Sequence, residues 1–160
     1  MDEITKIENL LIQIGAINKS YEKIAKLTGE NFNIFEVLGL TTNEVRTHSA
    51  FIAELLNPKG SHDQNEVFLK LFCEQFKIID FDVETALVEI EKHTGFINEE
   101  YTEGGNIDII ASDANNNAII IENKIYAPDQ KNQLLRYFNY GKKNCKSFKM
   151  FYLTLFNDEN

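Results

Sequence analysis

Two isoleucine-rich runs, Asn106 to Ser112 and Ala118 to Lys124, flank Asp113-Ala-Asn-Asn-Asn117, a turn signal dense enough to fold the chain back on itself. The predicted product is an antiparallel hairpin centred near Asn115, in which residues whose numbers sum to 230 face each other. Asp108 then opposes Glu122, Asn106 opposes Lys124, and Ile109 and Ile110 oppose Ile121 and Ile120. Alternation sends Asp108, Glu122 and Lys124 to one face. It sends Ile107, Ile109, Ile119 and Ile121 to the other, where they anchor the hairpin in a core. A bulge would shift this arrangement by one residue.

The rest of the chain reads as helices, strands, one more helix and a last strand. Apolar residues at Ile4, Ile7, Leu10, Leu11, Ile14, Ile17, Tyr21 and Ile24 predict an amphipathic helix over 4–27. Residues 1–29 thus form an N-terminal segment that packs on the core or pairs with a second copy, and 30–160 form the core itself. Thr41 and Glu44 have capping-box spacing, and Asn57-Pro58-Lys59-Gly60 stops the helix they open. A third helix is expected over 63–76, with Phe68, Leu71, Phe72 and Phe76 on one side. Residues 86–92 and 148–155 read as further strands. Pro128 and Gly141 bracket a helix over 129–140, with proline at its start and glycine just past its end. The predicted class is α/β, a central mixed β-sheet flanked by helices.

Two carboxylates opposed in a half-buried strand pair repel each other, a cost that a bound cation removes. Carboxylate oxygens suit Mg²⁺, with Mn²⁺ as the other candidate, and no Cys or His lies close in sequence to suggest zinc. Lys124 would place an ammonium beside that cation, able to orient a water or stabilise charge on a phosphoryl oxygen. Asp108, Glu122 and Lys124 therefore predict phosphodiester cleavage. The competing reading is a surface ion cluster in which Lys124 pairs with one carboxylate.

These residues also carry a family resemblance. The run Gly105-Asn106-Ile107-Asp108-Ile109-Ile110 is followed by Ile119-Ile120-Ile121-Glu122-Asn123-Lys124-Ile125, then by Asp129-Gln130 and Gln133-Leu134-Leu135-Arg136-Tyr137. In this order and spacing they resemble the PD-(D/E)XK nuclease superfamily. A bacterial branch of it has a helical start similar to Glu44-Val-Arg-Thr-His48-Ser49 through Asn57-Pro58, with Gly60-Ser61-His62 after it. The likeness spans about 33–155 and implies a restriction-endonuclease-like core. Carried over, Asp108 and Glu122 bind Mg²⁺, the carbonyl of Asn123 completes the shell, and Lys124 assists the attacking water. A Q-x-x-x-Y helix like Gln133 to Tyr137 lies beside metal and DNA in the nuclease domains of bacterial recombination helicases. Gln130, Gln133 and Tyr137 share a helix face in any case, although Tyr137 also suits a core position. Ile107, rather than proline, precedes Asp108, a departure from the motif.

An acid from the early helix often joins such sites. At 100° per residue Glu44 borders the buried centre set by Val45, Ile52 and Leu56, while Glu54 points away, so Glu44 is the candidate. Its alternative role is the capping box with Thr41. His48, one turn on, would support Glu44 or touch a phosphate, or else is a satisfied half-buried histidine. His62 resembles a family position of undetermined role, and His93 has no such support.

The net charge of -9 argues against a nonspecific nucleic-acid coat, but it conceals an asymmetry. Lys131, Arg136, Lys142, Lys143, Lys146 and Lys149 lie between Gln130 and Asn157 with no acid among them, so this segment carries +6 against -15 elsewhere. A DNA partner is expected there, with Arg136, Lys142 and Lys143 as contacts; a solvated helix and a Lys-rich turn are the alternative. Two cysteines without paired spacing, Cys73 and Cys145, exclude a disulfide framework, and no apolar run approaches the roughly 18 residues a bilayer requires. The expectation is a cytoplasmic, metal-dependent deoxyribonuclease. Its rivals are a nuclease-fold binding or regulatory module with weak turnover, and a helix-pairing structural protein. The N-terminal helix predicts a homodimer, and a hydrophobic strand near the last residue predicts a partner covering the strand's edge or a longer chain truncated at 160.

Overall fold

A computed structural model describes residues 3–28, 39–40, 44–125 and 128–154, with backbone only at 3, 26, 28 and 44–46. The chain divides into two compact units, Met1–Gly39 and Leu40–Asn160. The first holds α1 (Glu3–Thr28), whose apolar stripe from Ile4 to Ile24 is exposed. Among the described residues no helix is long and apolar enough to cross a membrane.

The second unit opens on a six-residue π-helical segment, Glu44–Ser49, which runs into α2 (Ala50–Leu56). The expected capping residue Thr41 lies outside the described residues, as does the Glu44 side chain. The helix ends where Asn57 turns extended. Helix α3 (Val67–Gln75) begins four residues later than the sequence suggests. The reason lies in His62, whose Nε2 contacts the Asn57 carbonyl while its Nδ1 takes the Gln64 N–H, and Asp63 and Asn65 adopt positive φ around it. The late start also moves the buried stripe. Leu69 and Cys73 face the core, and Leu71 is 56 % exposed.

Strands β1 (Leu87–His93), β2 (Asn106–Ser112), β3 (Asn117–Lys124) and β4 (Ser147–Thr154) form one sheet in that order. The first two junctions are antiparallel and β3–β4 is parallel, bridged by α4 (Gln133–Asn144). The hairpin register is the one predicted next to the turn, with Ile109 on Ile121 and Ile110 on Ile120, but the expected pairs Asp108–Glu122 and Asn106–Lys124 do not form, because Asn106 pairs with β1 and Glu122 and Lys124 pair with β4. Both faces are covered, as adjacent isoleucines require. Ile109, Ala111, Ile119 and Ile121 pack with Ala53, Leu56, Leu69 and Cys73 of α2 and α3. Ile110, Ala118 and Ile120 pack with Tyr137 of α4 and with Phe148 and Met150 of β4. Each fully buried isoleucine contributes roughly 1.5–3 kcal/mol.

Ile107 departs from the expected alternation and joins the α4-side cluster rather than Ile109. The cause is a break in the ladder. Between Ile90–Ile109 and Lys92–Ile107 the pairing skips Glu91 and Asp108, and Glu91 sits at φ 51.

Helix α4 also corrects the sequence reading. Asn132 adopts φ 53, so the helix starts at Gln133, and Gly141 lies inside it rather than past its end. A Cβ on Gly141 would meet the Phe148 ring at 2.7 Å, so glycine there permits close approach of α4 to β4. Gly141→Ala is accordingly expected to destabilise by about 1–2 kcal/mol despite alanine's better helix propensity, because overpacking outweighs it. Urea unfolding measures this, and an unchanged or raised midpoint would refute it.

Candidate active site

The β2–β3 ladder ends at Ile109–Ile121. Beyond it β2 follows β1, pairing Asn106 and Ile107 with His93 and Lys92, while β3 follows β4, pairing Glu122 to Lys124 with Tyr152 to Thr154. The hairpin strands thus part where its acids lie. Asp108 fills part of the gap, its Oδ2 accepting the Asn123 N–H at 2.7 Å.

Glu122 is fully buried. Lys124 Nζ stands 3.0 Å from its Oε1, but among the described residues neither carboxylate oxygen receives a hydrogen bond of good geometry. Burial, then the charge of Asp108, pushes the Glu122 carboxyl up from 4.5 to about 7, against the opposing pull of Lys124. Asn123 donates Nδ2–H to the buried Ser49 hydroxyl at 3.1 Å, which ties β3 to the π-helical segment and leaves Asn123 Oδ1 buried without a partner among the described residues. Orphaned acceptors of this kind are uncommon in buried positions.

The opposite face is braced by α4. Gln133 donates to the Tyr137 hydroxyl at 3.2 Å, and that hydroxyl donates to the Asn106 carbonyl, two residues before Asp108. Gln130 N–H in turn donates to Gln133 Oε1 at 3.3 Å. Burial raises the Tyr137 phenol above its ordinary range, so it keeps the proton it donates. Tyr137, 1 % exposed, is both a core aromatic and a brace for β2.

Arg136 is equally buried and donates to the Gly104 carbonyl at 2.9 Å, to Gln130 Oε1 at 2.8 Å and to the Lys131 carbonyl. It is therefore not a surface cation for a polyanion. It fastens the 94–105 loop and the turn before α4, which is why that turn is not helical. Lys142 and Lys143 are exposed, and Lys143 pairs with Glu103 at 3.2 Å, an acid that linear reading does not place near the basic segment.

His48 is half-buried on the π-helical segment, with Nδ1 buried and unpartnered among the described residues. The 100° arithmetic that separated Glu44 from Glu54 does not hold in a π segment. Glu54 is nevertheless occupied elsewhere: its Oε1 accepts the N–H and hydroxyl of Ser61, which holds its carboxyl below the ordinary range.

One acid escaped the sequence reading. Glu91 accepts from Asn106 Nδ2 at 3.4 Å, and burial and then the charge of Asp108 raise its carboxyl. Only the β1–β2 register, set by long-range pairing, brings it opposite Asp108.

A sequence model of this fold family matches residues 32–160, most of the chain. The chain belongs to the PD-(D/E)XK nuclease superfamily. Members of this superfamily are generally hydrolytic nucleases that use divalent metals, and the four-stranded mixed sheet between helices agrees with their restriction-endonuclease-like core. No curated protein and no solved structure matches the chain.

The residues fit a hard cation. The buried Glu122 carboxylate, whose Oε2 has no hydrogen-bond partner among the described residues, makes an oxygen-only ligand set with Asp108. Among the described residues no group of three or more His, Cys, Asp or Glu side chains is placed to hold a metal ion by itself.

Proposed function

We propose that this superfamily member is a Mg²⁺- or Mn²⁺-dependent deoxyribonuclease that hydrolyses phosphodiester bonds. The observation that carries the reading is the buried Glu122 carboxylate, facing the charge of Asp108, with the Lys124 ammonium 3.0 Å from its Oε1 and no hydrogen-bond partner for its Oε2 among the described residues. Asp108, Glu122 and the carbonyl of Asn123 would hold the cation. When bound, it supplies Lewis-acid stabilisation of charge on the phosphoryl oxygens and lowers the pKa of water.

The chain's own groups do the rest. Lys124, 11 % exposed at its side chain, holds a water or a phosphoryl oxygen through Nζ. The water oxygen forms the new P–O bond as the bond to the leaving oxygen breaks, and the leaving oxygen takes up a proton. Gln133 and Tyr137 keep Asn106, and through it Asp108, in place, while Arg136 steadies the loop leading into β2. Glu44, by its position on the early helix, is the further acid of the site, and His48 supports it. Exposed Gln130 and Lys142 serve as contacts for the DNA backbone, with Lys143 released from Glu103 to join them.

The test is cleavage of linear, circular and single-stranded DNA with Mg²⁺, with Mn²⁺ and with chelator, beside Asp108→Asn. Metal-dependent cleavage by the wild type that Asp108→Asn loses is the expected result. Equal background from both proteins would remove the basis of the proposal.

A further inference from the structure

Glu91 is an acid beside the site that no part of the nuclease motif includes. It interrupts an otherwise regular strand: the β1–β2 ladder pairs its neighbours on both sides but skips Glu91 and Asp108. Its φ of 51 is a conformation that glutamate seldom adopts. Strain of this kind persists only where the surroundings impose it, and it concentrates at functional positions.

The half-buried Glu91 carboxylate lies within electrostatic reach of both Asp108 and Lys124. Its one described hydrogen bond is long, 3.4 Å from an Asn106 amide whose oxygen is engaged with His93 at 3.0 Å. That contact is too weak to account for the strained backbone. The independent sign of a ligand is Glu122, fully buried and facing the charge of Asp108: Lys124 stands at its Oε1, but its buried Oε2 has no hydrogen-bond partner among the described residues.

We propose that Glu91 is a further carboxylate of the divalent-cation site, contributed by β1, which holds a hydrated cation jointly with Asp108. The proposal rests on the nuclease reading for the nature of the site. Charge supports it: with all three ionised, Glu91, Asp108 and Glu122 beside the Lys124 ammonium carry a net charge of about −2, which one divalent cation balances as it displaces protons from the raised carboxyls. Hydration supports it as well. Mg²⁺ and Mn²⁺ retain water, so a carboxylate beyond direct ligand distance still holds the ion through that water.

The experiment is Mn²⁺ binding to the full chain without DNA, read as loss of the free-ion EPR signal, for wild type, Glu91→Gln, Glu91→Gly and Asp108→Asn. Glycine tolerates the positive φ, so Glu91→Gly relieves strain while removing the carboxylate and decides the matter even if Glu91→Gln folds poorly. Thermal melts report folding. A loss of affinity of about tenfold in Glu91→Gly, with its melting temperature kept or raised, is the expected result. Affinity within about threefold of wild type, while Asp108→Asn no longer binds, overturns the role of Glu91 and leaves the nuclease reading standing. Wild-type affinity in Asp108→Asn shows that the cation is held elsewhere, and both readings then fall.

Discussion

Lys124→Ala is expected to reduce metal-dependent DNA cleavage by roughly 10²–10⁴-fold while the protein stays folded. The side chain is 11 % exposed and its Nζ lies 3.0 Å from Glu122 Oε1, so its loss has two consequences. The reacting water or phosphoryl oxygen loses a fixed ammonium, and Glu122 loses a cation that favours its ionised form. The second effect alone would shift the cleavage profile to higher pH without abolishing it. Lys124→Arg separates the two. Arginine restores the charge beside Glu122 but replaces a compact ammonium with a planar fork, so cleavage stays low if Lys124 positions a reacting group and returns if it only balances charge. Single-turnover cleavage across pH distinguishes these outcomes. Retention of wild-type rates by Lys124→Ala would exclude both roles.

The parts of the fold legible in the sequence are those governed by local pattern. The turn Asp113 to Asn117 accepts its own backbone N–H groups, with Asp113 Oδ1 bonded to Asn115 N at 2.9 Å and Asn117 N at 2.8 Å, so its position and the register it dictates follow from five consecutive residues. The strands, defined by β-branched and aromatic runs, fall within a residue of their expected limits. What the sequence does not show are features imposed from a distance. The start of α4 is displaced by the left-handed Asn132, in a turn whose Gln130 and Lys131 bond Arg136 while Arg136 also reaches the Gly104 carbonyl, 32 residues away in the chain. Gly141 resembles a helix terminator until Phe148 is placed against it. The face taken by Ile107 depends on a ladder break at Glu91, in a strand whose pairing no local pattern specifies. The same long-range pairing sets Glu91 across from Asp108, which is why spacing along the chain names the motif residues as candidates and does not name this one.

The buried carboxyl of Glu122 makes the stability of the metal-free protein depend on pH in an unusual direction. Its folded pKa is raised from 4.5 to about 7. Between those values the folded protein keeps a proton that the unfolded chain has released, so more protons are bound in the native state and stability falls as pH rises through the window. At about 1.4 kcal/mol per pKa unit the loss is on the order of 3 kcal/mol by pH 8. Glu91, also raised, adds to it with the same sign. Asp113, held below 3.8 by hydrogen bonds from Asp82, Asn117 and Asn115 that outweigh its burial, acts oppositely, but its contribution is lost only at lower pH. Glu122→Gln, which cannot ionise, is therefore expected to match wild type near pH 5 and to exceed it at pH 8 in chelator, while losing cleavage. Mg²⁺ competes with the proton for the same oxygens, so its stabilisation of the wild type should grow with pH and be largely absent from Glu122→Gln. Urea unfolding at pH 5, 6, 7 and 8, with chelator and with Mg²⁺, measures each of these differences. A wild-type stability in chelator that is flat or rising over this range would show that Glu122 ionises in the folded protein as it does in the unfolded chain, and the desolvated site inferred from its orphaned oxygens would have to be abandoned.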